Sequence, residues 1–236
     1  MSARGPAIIV MVKAPRPGTV KTRLTPALSP DDAAGLATAF AQDAVANAQP
    51  IALVLVAYAP TDGRALLESL LPAGLLWTPQ RGDGLGARMR QAMADAETLG
   101  FGPLIVIGTD SPTLPPNFLA QAISRLQSDE ADVTLGPTDD GGYYLVGTQR
   151  PMPGLFDGVA WSTPSAFAQT WDNAGRLGLR LLALPPWYDI DAPDDLDRLR
   201  RELAADAAQR RCAPATTAWC AARPGFTPDP PGAAHR

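Results

Sequence analysis

A chain of 236 residues, 46% apolar and 19% charged, is long enough to bury the core of one large α/β domain. Its net charge of −4 argues against general nucleic-acid binding, and no run approaches the roughly 18 apolar residues that a bilayer span needs. The only histidine, His235, is the penultimate residue, which removes Ser-His-Asp and Cys-His catalysis together with imidazole-based zinc chemistry.

The apolar run 7–12 has the continuous pattern of a strand covered on both faces, and it lacks the length and cleavage pattern of a signal peptide, so a cytoplasmic protein is expected. A basic loop leaves it, Lys13-Ala-Pro-Arg-Pro-Gly-Thr-Val-Lys-Thr-Arg-Leu24, carrying Lys13, Arg16, Lys21 and Arg23. Lys13 and Lys21 are the only lysines in the chain, and the first acid is Asp31, so nothing local neutralises the loop. Four cations among two prolines and a glycine suit an oligophosphate, although a solvated basic turn has the same composition.

Ser29 followed by Pro30 predicts a helix start, with Ser29 as N-cap and an alanine-rich helix to about Ala48. Further strands are expected at 51–57, 75–78, 104–110, 132–136, 143–147 and 179–184. Helices are expected between them at 62–71, 86–99, 116–127 and 163–175, with a last one from Pro193 to about Ala208. The glycine-rich stretch Gln80 to Gly86, with Gly84 in it and Arg88 just beyond, lets backbone N–H groups and a helix N-terminus approach an anion; it is also an ordinary way into a helix. Strands alternating with helices predict a Rossmann-like, mostly parallel sheet covered on both faces, with ligands beyond the carboxyl ends of the strands. A domain over 1–206 and a mobile Pro/Ala-rich tail over 207–236, holding Cys212 and Cys220, complete this reading.

Acids without histidine or cysteine beside them point to a hard cation, Mg²⁺ or Mn²⁺, held by oxygen. Asp110, ending an apolar strand, is the first candidate ligand; Asp189 and Asp191, on one side of an extended segment, are the next, with capping of the following helix as the structural alternative for Asp191. The adjacent Asp139 and Asp140, followed by two glycines, would bind substrate hydroxyls or act as a general base on an acceptor, or else form a solvated hairpin turn. Cations facing carboxylates describe a site for a nucleoside di- or triphosphate, with room beside it for a small-molecule acceptor. No Gly-x₄-Gly-Lys-Ser/Thr occurs, so the chain is not a P-loop NTPase.

These stretches, with Gly108-Thr-Asp110-Ser-Pro-Thr-Leu-Pro115, Gly136-Pro-x-Asp-Asp-Gly-Gly-Tyr-Tyr144 and Asp189-Ile-Asp191-x-Pro-x-Asp-Leu196, resemble the GT-A nucleotide-diphospho-sugar transferase superfamily. Within it they resemble the bacterial DUF2064 group, some of whose members are named as arsenosugar-biosynthesis-type glycosyltransferases. The likeness runs from about residue 7 to residue 203. It implies a GT-A fold with the nucleotide over the first strands, near Lys13, Arg16, Lys21, Arg23, Gln80, Gly84 and Arg88, and with Asp110 as the acid of the metal motif. Thr-Asp-Ser stands here where many glycosyltransferases have Asp-x-Asp, which leaves one carboxylate. Asp191 matches the second metal position of related nucleotidyltransferases. Glycosyl transfer from a nucleotide-diphospho-sugar is the leading implication, nucleotidyl transfer with release of pyrophosphate the alternative, and a non-catalytic nucleotide-binding module the third.

Overall fold

The computed structural model describes residues 4–25 and 27–223. Its first unit is the strand β1 (Ala7–Lys13), the basic loop, and α1 (Pro30–Ala48), which Ser29 caps by accepting the backbone N–H of Asp32 at 3.1 Å. There follow β2 (Leu53–Ala59), α2 (Arg64–Leu70), β3 (Leu76–Pro79), α3 (Gly84–Thr98), β4 (Leu104–Ile107) and α4 (Pro116–Gln127). The second half runs β5 (Val133–Pro137), β6 (Tyr143–Thr148), α5 (Ala166–Arg176), β7 (Leu181–Ala183) and α6 (Pro193–Ala205).

The seven strands form one sheet in the order β3-β2-β1-β4-β6-β5-β7. β1, β2, β3 and β4 are mutually parallel and β5 pairs parallel with β7, whereas β6 runs antiparallel to both β4 and β5. The mostly parallel sheet with helices on both faces is the one that the alternating apolar runs predict.

Alternation within β1 explains why its residues read as continuously apolar. Ile8, Val10 and Val12 enter the core that β1 shares with α1 and α4, and Ala7 and Ile9 enter the one it shares with α3. A strand buried on both faces has no polar side, and each fully buried isoleucine contributes about 2–3 kcal/mol.

A third apolar cluster corrects the expected tail. Residues 207–221 form two further helices, α7 (Ala207–Cys212) and α8 (Pro214–Ala221), and α8 packs on α1, with Trp219 in a cluster that includes Leu36 and Phe40. Buried Asp43 of α1 accepts the backbone N–H groups of Ala215 and Thr216, each at 2.8 Å, and the Thr216 hydroxyl at 2.6 Å. A carboxylate borrowed from another helix thus caps the first turn of α8. Arg223 closes the same face on Asp32 at 2.7 Å. Of the alanines in this Pro/Ala-rich stretch, Ala213 is buried and Ala215 partly buried in that cluster; residues 224–236 of the expected tail, His235 included, lie outside the described residues. Among the described residues, no helix is long and apolar enough to cross a membrane.

Candidate active site

The carboxyl ends of β1, β2, β3 and β4 point to one edge of the sheet, and the antiparallel β6 begins there, so the turn before it lands on the same edge. A cleft of about 590 Å³ opens at that place. Lys13, Lys21, Arg23, Gln80, Asp110, Asp140, Asp189 and Asp191 line it, so eight of the twelve predicted site residues converge. Arg16, Gly84, Arg88 and Asp139 do not.

The three charged residues among those that stay out are paired elsewhere. Arg16 turns away to Asp62 at 3.0 Å, and Arg88 donates to the Gly82 carbonyl at 3.3 Å. Gly84 has a φ of 81° and serves the turn into α3, where Arg81 is tied to Asp95 at 2.6 Å. The glycine-rich stretch is therefore chiefly a helix entry. From it Gln80 and Leu85 reach the cleft, and the Gln80 amide donates to the carbonyls of Ala57 at 2.8 Å and Val12 at 3.3 Å, which bridges β2 to β1.

The two adjacent acids part company. Asp139 pairs with Arg198 at 2.9 Å, and that guanidinium also lies over the Tyr188 ring and donates to Glu202 at 3.1 Å. Asp140 turns inward; its Oδ1 accepts from the Thr138 hydroxyl at 2.5 Å and from the Gly142 N–H at 2.9 Å. Repulsion between neighbouring carboxylates is relieved by sending one outward to a cation. Gly141, with φ at 86°, permits the turn, and a Cβ there would stand 2.2 Å from the Pro164 carbonyl oxygen.

That contact fixes the segment carrying Trp161, Ser162 and Thr163, which forms the opposite wall of the cleft. Trp161 is both wall and core: its indole packs edge-on to Tyr143 and Phe156, at 6.0 Å in each case, and lies over Gly86, where a Cβ would approach it to 2.8 Å.

On the acidic side, Asp110 follows β4, and its carbonyl accepts the Ile190 N–H at 2.9 Å, which lays the segment 189–191 alongside it. The Asp191 side chain does not cap α6. Asp195 does, accepting the N–H groups of Ala192 at 2.7 Å and Asp191 at 3.0 Å, so the Asp191 carboxylate is left for the cleft. Asp195, at the third helical position, thus supplies the backward half of a capping box, whose forward half Ala192 has no side-chain oxygen to make.

Lys21, in a left-handed backbone conformation with φ at 47°, reaches across to Asp110 at 2.7 Å and Asp191 at 3.1 Å. Burial works against its charge, but the two carboxylates outweigh this and hold its pKa above the usual lysine value. Asp189 has the opposite surroundings. Burial first, and then the carboxylates of Asp140, Asp191 and Asp110, push its pKa up to about 7, with only Lys21 opposing them.

An all-oxygen, acidic donor set suits Mg²⁺ or Mn²⁺. Among the described residues no three acids are arranged to enclose an ion by themselves, so Asp110, Asp189 and Asp191 are not a ready-made ligand trio. Mg²⁺ needs only one or two carboxylates when waters and substrate phosphates complete its shell, and the pair of Asp110 and Asp191 fits that requirement.

A family model described as an uncharacterized protein conserved in bacteria (DUF2064) matches residues 40–163. Among solved structures, a Desulfovibrio desulfuricans G20 protein provisionally described as a nucleotide-diphospho-sugar transferase is 32% identical, with a TM-score of 0.86 over 97% of this chain and 100% of that one. A CMP:2-keto-3-deoxy-manno-octonic acid synthetase complexed with CTP shares the fold at 12% identity and a TM-score of 0.54, covering 85% of this chain and 98% of its own. So does a cytidylyltransferase of Leptospira borgpetersenii serovar Hardjo-bovis, at 10% identity and a TM-score of 0.54, over 95% and 97% of the two chains. No curated protein matches the chain.

Proposed function

The chain belongs to the DUF2064 family, and we propose that it is a metal-dependent transferase that moves a glycosyl group from a nucleotide-diphospho-sugar to a small-molecule acceptor. The observation behind this reading is the convergence, in one cleft, of Lys13 and Arg23 on one side with Asp110, Asp140, Asp189 and Asp191 on the other. Of the loop's four cations, Arg16 and Lys21 are committed to carboxylates. Lys13, whose ammonium otherwise donates to the Thr19 carbonyl at 2.7 Å, and Arg23, exposed and only distantly paired with Asp191 at 4.0 Å, remain for phosphate, a complement better matched to a diphosphate than to a triphosphate.

Asp110 and Asp191 would hold the Mg²⁺ or Mn²⁺, which when bound stabilises negative charge developing on the leaving nucleoside diphosphate. Lys13 and Arg23 orient the diphosphate. Asp140, whose Oδ1 is fixed by Thr138 and Gly142, keeps Oδ2 to accept the proton of the acceptor hydroxyl as that oxygen bonds the anomeric carbon and the bond from carbon to phosphate oxygen breaks. The Trp161 to Thr163 wall limits the room for the acceptor.

Nucleotidyl transfer is the second reading. It is favoured by the meeting of Asp110 and Asp191, from two separate elements, at one ammonium, since paired acids there also suit attack on an α-phosphate. Purified protein incubated with Mn²⁺, acceptor pools and panels of nucleotide-sugars and nucleoside triphosphates, followed by ³¹P NMR, separates the two. Release of nucleoside diphosphate is expected. Pyrophosphate formation that depends on a phosphorylated co-substrate would sink glycosyl transfer, and ligand binding without any product would favour a non-catalytic module.

A further inference from the structure

Lys21 is the cation of the basic loop whose surroundings are least like those of a phosphate ligand. An ammonium has three N–H donors, and Lys21 spends them on Asp110 Oδ1, Asp191 Oδ1 and the Ile190 carbonyl. The Phe40 ring lies 5.4 Å from its nitrogen. The side chain is 8% exposed, whereas those of Asp110 and Asp191 are 48% and 43% exposed. Seen from the cleft, the ammonium therefore lies behind the two acids. Each acid turns its Oδ1 back to Lys21; Asp110 keeps Oδ2 for the cleft, and Asp191 Oδ2 lies 4.0 Å from the exposed Arg23 guanidinium.

The residue type agrees with this placement. The chain uses arginine for its cations everywhere except Lys13 and Lys21. Three acceptors grouped around one point suit a compact ammonium and do not suit the planar fork of a guanidinium.

Taking the reading that Asp110 and Asp191 hold a divalent cation, we propose that Lys21 is a positioning residue, a built-in counter-cation. It aligns these two carboxylates and, through its own positive charge, keeps their affinity for the bare divalent ion low. With a cation behind the pair, a second one arriving from the cleft meets carboxylates that are already half neutralised and is itself repelled by the ammonium.

The test is Mn²⁺ binding to the full chain without nucleotide, followed by the electron paramagnetic resonance signal of free Mn²⁺, in the wild type, Lys21→Met and Lys21→Gln. A side chain that served structure alone would, on removal, leave metal affinity unchanged or weaken it. Here Lys21→Met is expected to bind Mn²⁺ on the order of tenfold more tightly than the wild type, to melt at a lower temperature without metal, and to gain more in melting temperature from added Mn²⁺. Should Lys21→Met fail to fold, Lys21→Gln gives the same reading, because its amide still donates to a carboxylate while carrying no charge. Wild-type Mn²⁺ binding with equal or weaker binding in the folded variants overturns the role given to Lys21 and leaves the metal site standing. Absence of Mn²⁺ binding in every form overturns the metal site and this inference together.

Discussion

Two aspartates at opposite edges of the same sheet have opposite chemistry. Asp132, just before β5 at the amino edge, accepts the Arg180 N–H and two guanidinium hydrogen bonds, all at 2.9 Å, and its pKa falls to about 2, chiefly through those bonds. Asp189, beyond β7 at the carboxyl edge, is half-buried beside other carboxylates and rises to about 7. Among the described residues nothing donates a hydrogen bond to its side chain. One edge neutralises its acids within the protein. The other keeps them concentrated, which costs stability and makes sense where a ligand brings positive charge.

The sharpest way to break this contrast is at the carboxyl edge, where Asp139 and Asp140 are sequence neighbours with different partners. Asp140→Ala should lower kcat/KM at least about 100-fold, or about 3 kcal/mol of transition-state stabilisation, whereas Asp139→Ala should stay within about threefold of wild type. Steady-state kinetics on the substrate found by the NMR screen measures both. Equal losses would mean that the outward pairing of Asp139 with Arg198 is not its working position.

A smaller effect is expected where the acids crowd. Asp189→Asn removes one of several like charges and should stabilise the metal-free protein by about 1 kcal/mol at pH 8, read from urea unfolding. Destabilisation by that amount would show that the charge on Asp189 is already neutralised within the protein.

The smallest effect belongs to the amino edge. The folded pKa of Asp132 lies below its ordinary value, so its stabilising contribution is fully present above about pH 4 and is lost as the pH falls through about 2. With Arg180 half exposed, screening limits this to about 1 kcal/mol or less. Arg180→Ala should therefore cost stability at pH 6 and little at pH 2. An equal loss at both values, in pH-dependent urea melts, would place the role of Arg180 in packing.

Much of the architecture was legible because parallel strands buried on both faces write themselves as apolar runs, and because Ser29-Pro30 and Pro193 mark helix starts. The site was legible as far as position along the chain determines it: residues following strands gather at the carboxyl edge. Which way a side chain turns at that edge was not legible, since it depends on partners distant in sequence. Asp139 and Asp140 look alike until Arg198 is folded beside one of them, and Arg16 looks like Lys21 until Asp62 and Asp110 claim them separately. The C-terminal helices were misread for the same reason. The alanines of α8 carry no strong signal, and the donor groups of its first turn meet an acid 172 and 173 residues earlier in the chain.

That last separation bears on the order in which the molecule is made. Asp43 cannot cap α8 until Thr216 has left the ribosome, and contacts so remote in sequence are slow to close. α1 also carries Phe40, which lies beside Lys21, so the clasp between Asp43 and α8 holds from behind the helix that backs Asp110 and Asp191. A nascent chain halted before residue 214 would bear every cleft-lining residue yet lack the clasp that holds α1 from behind.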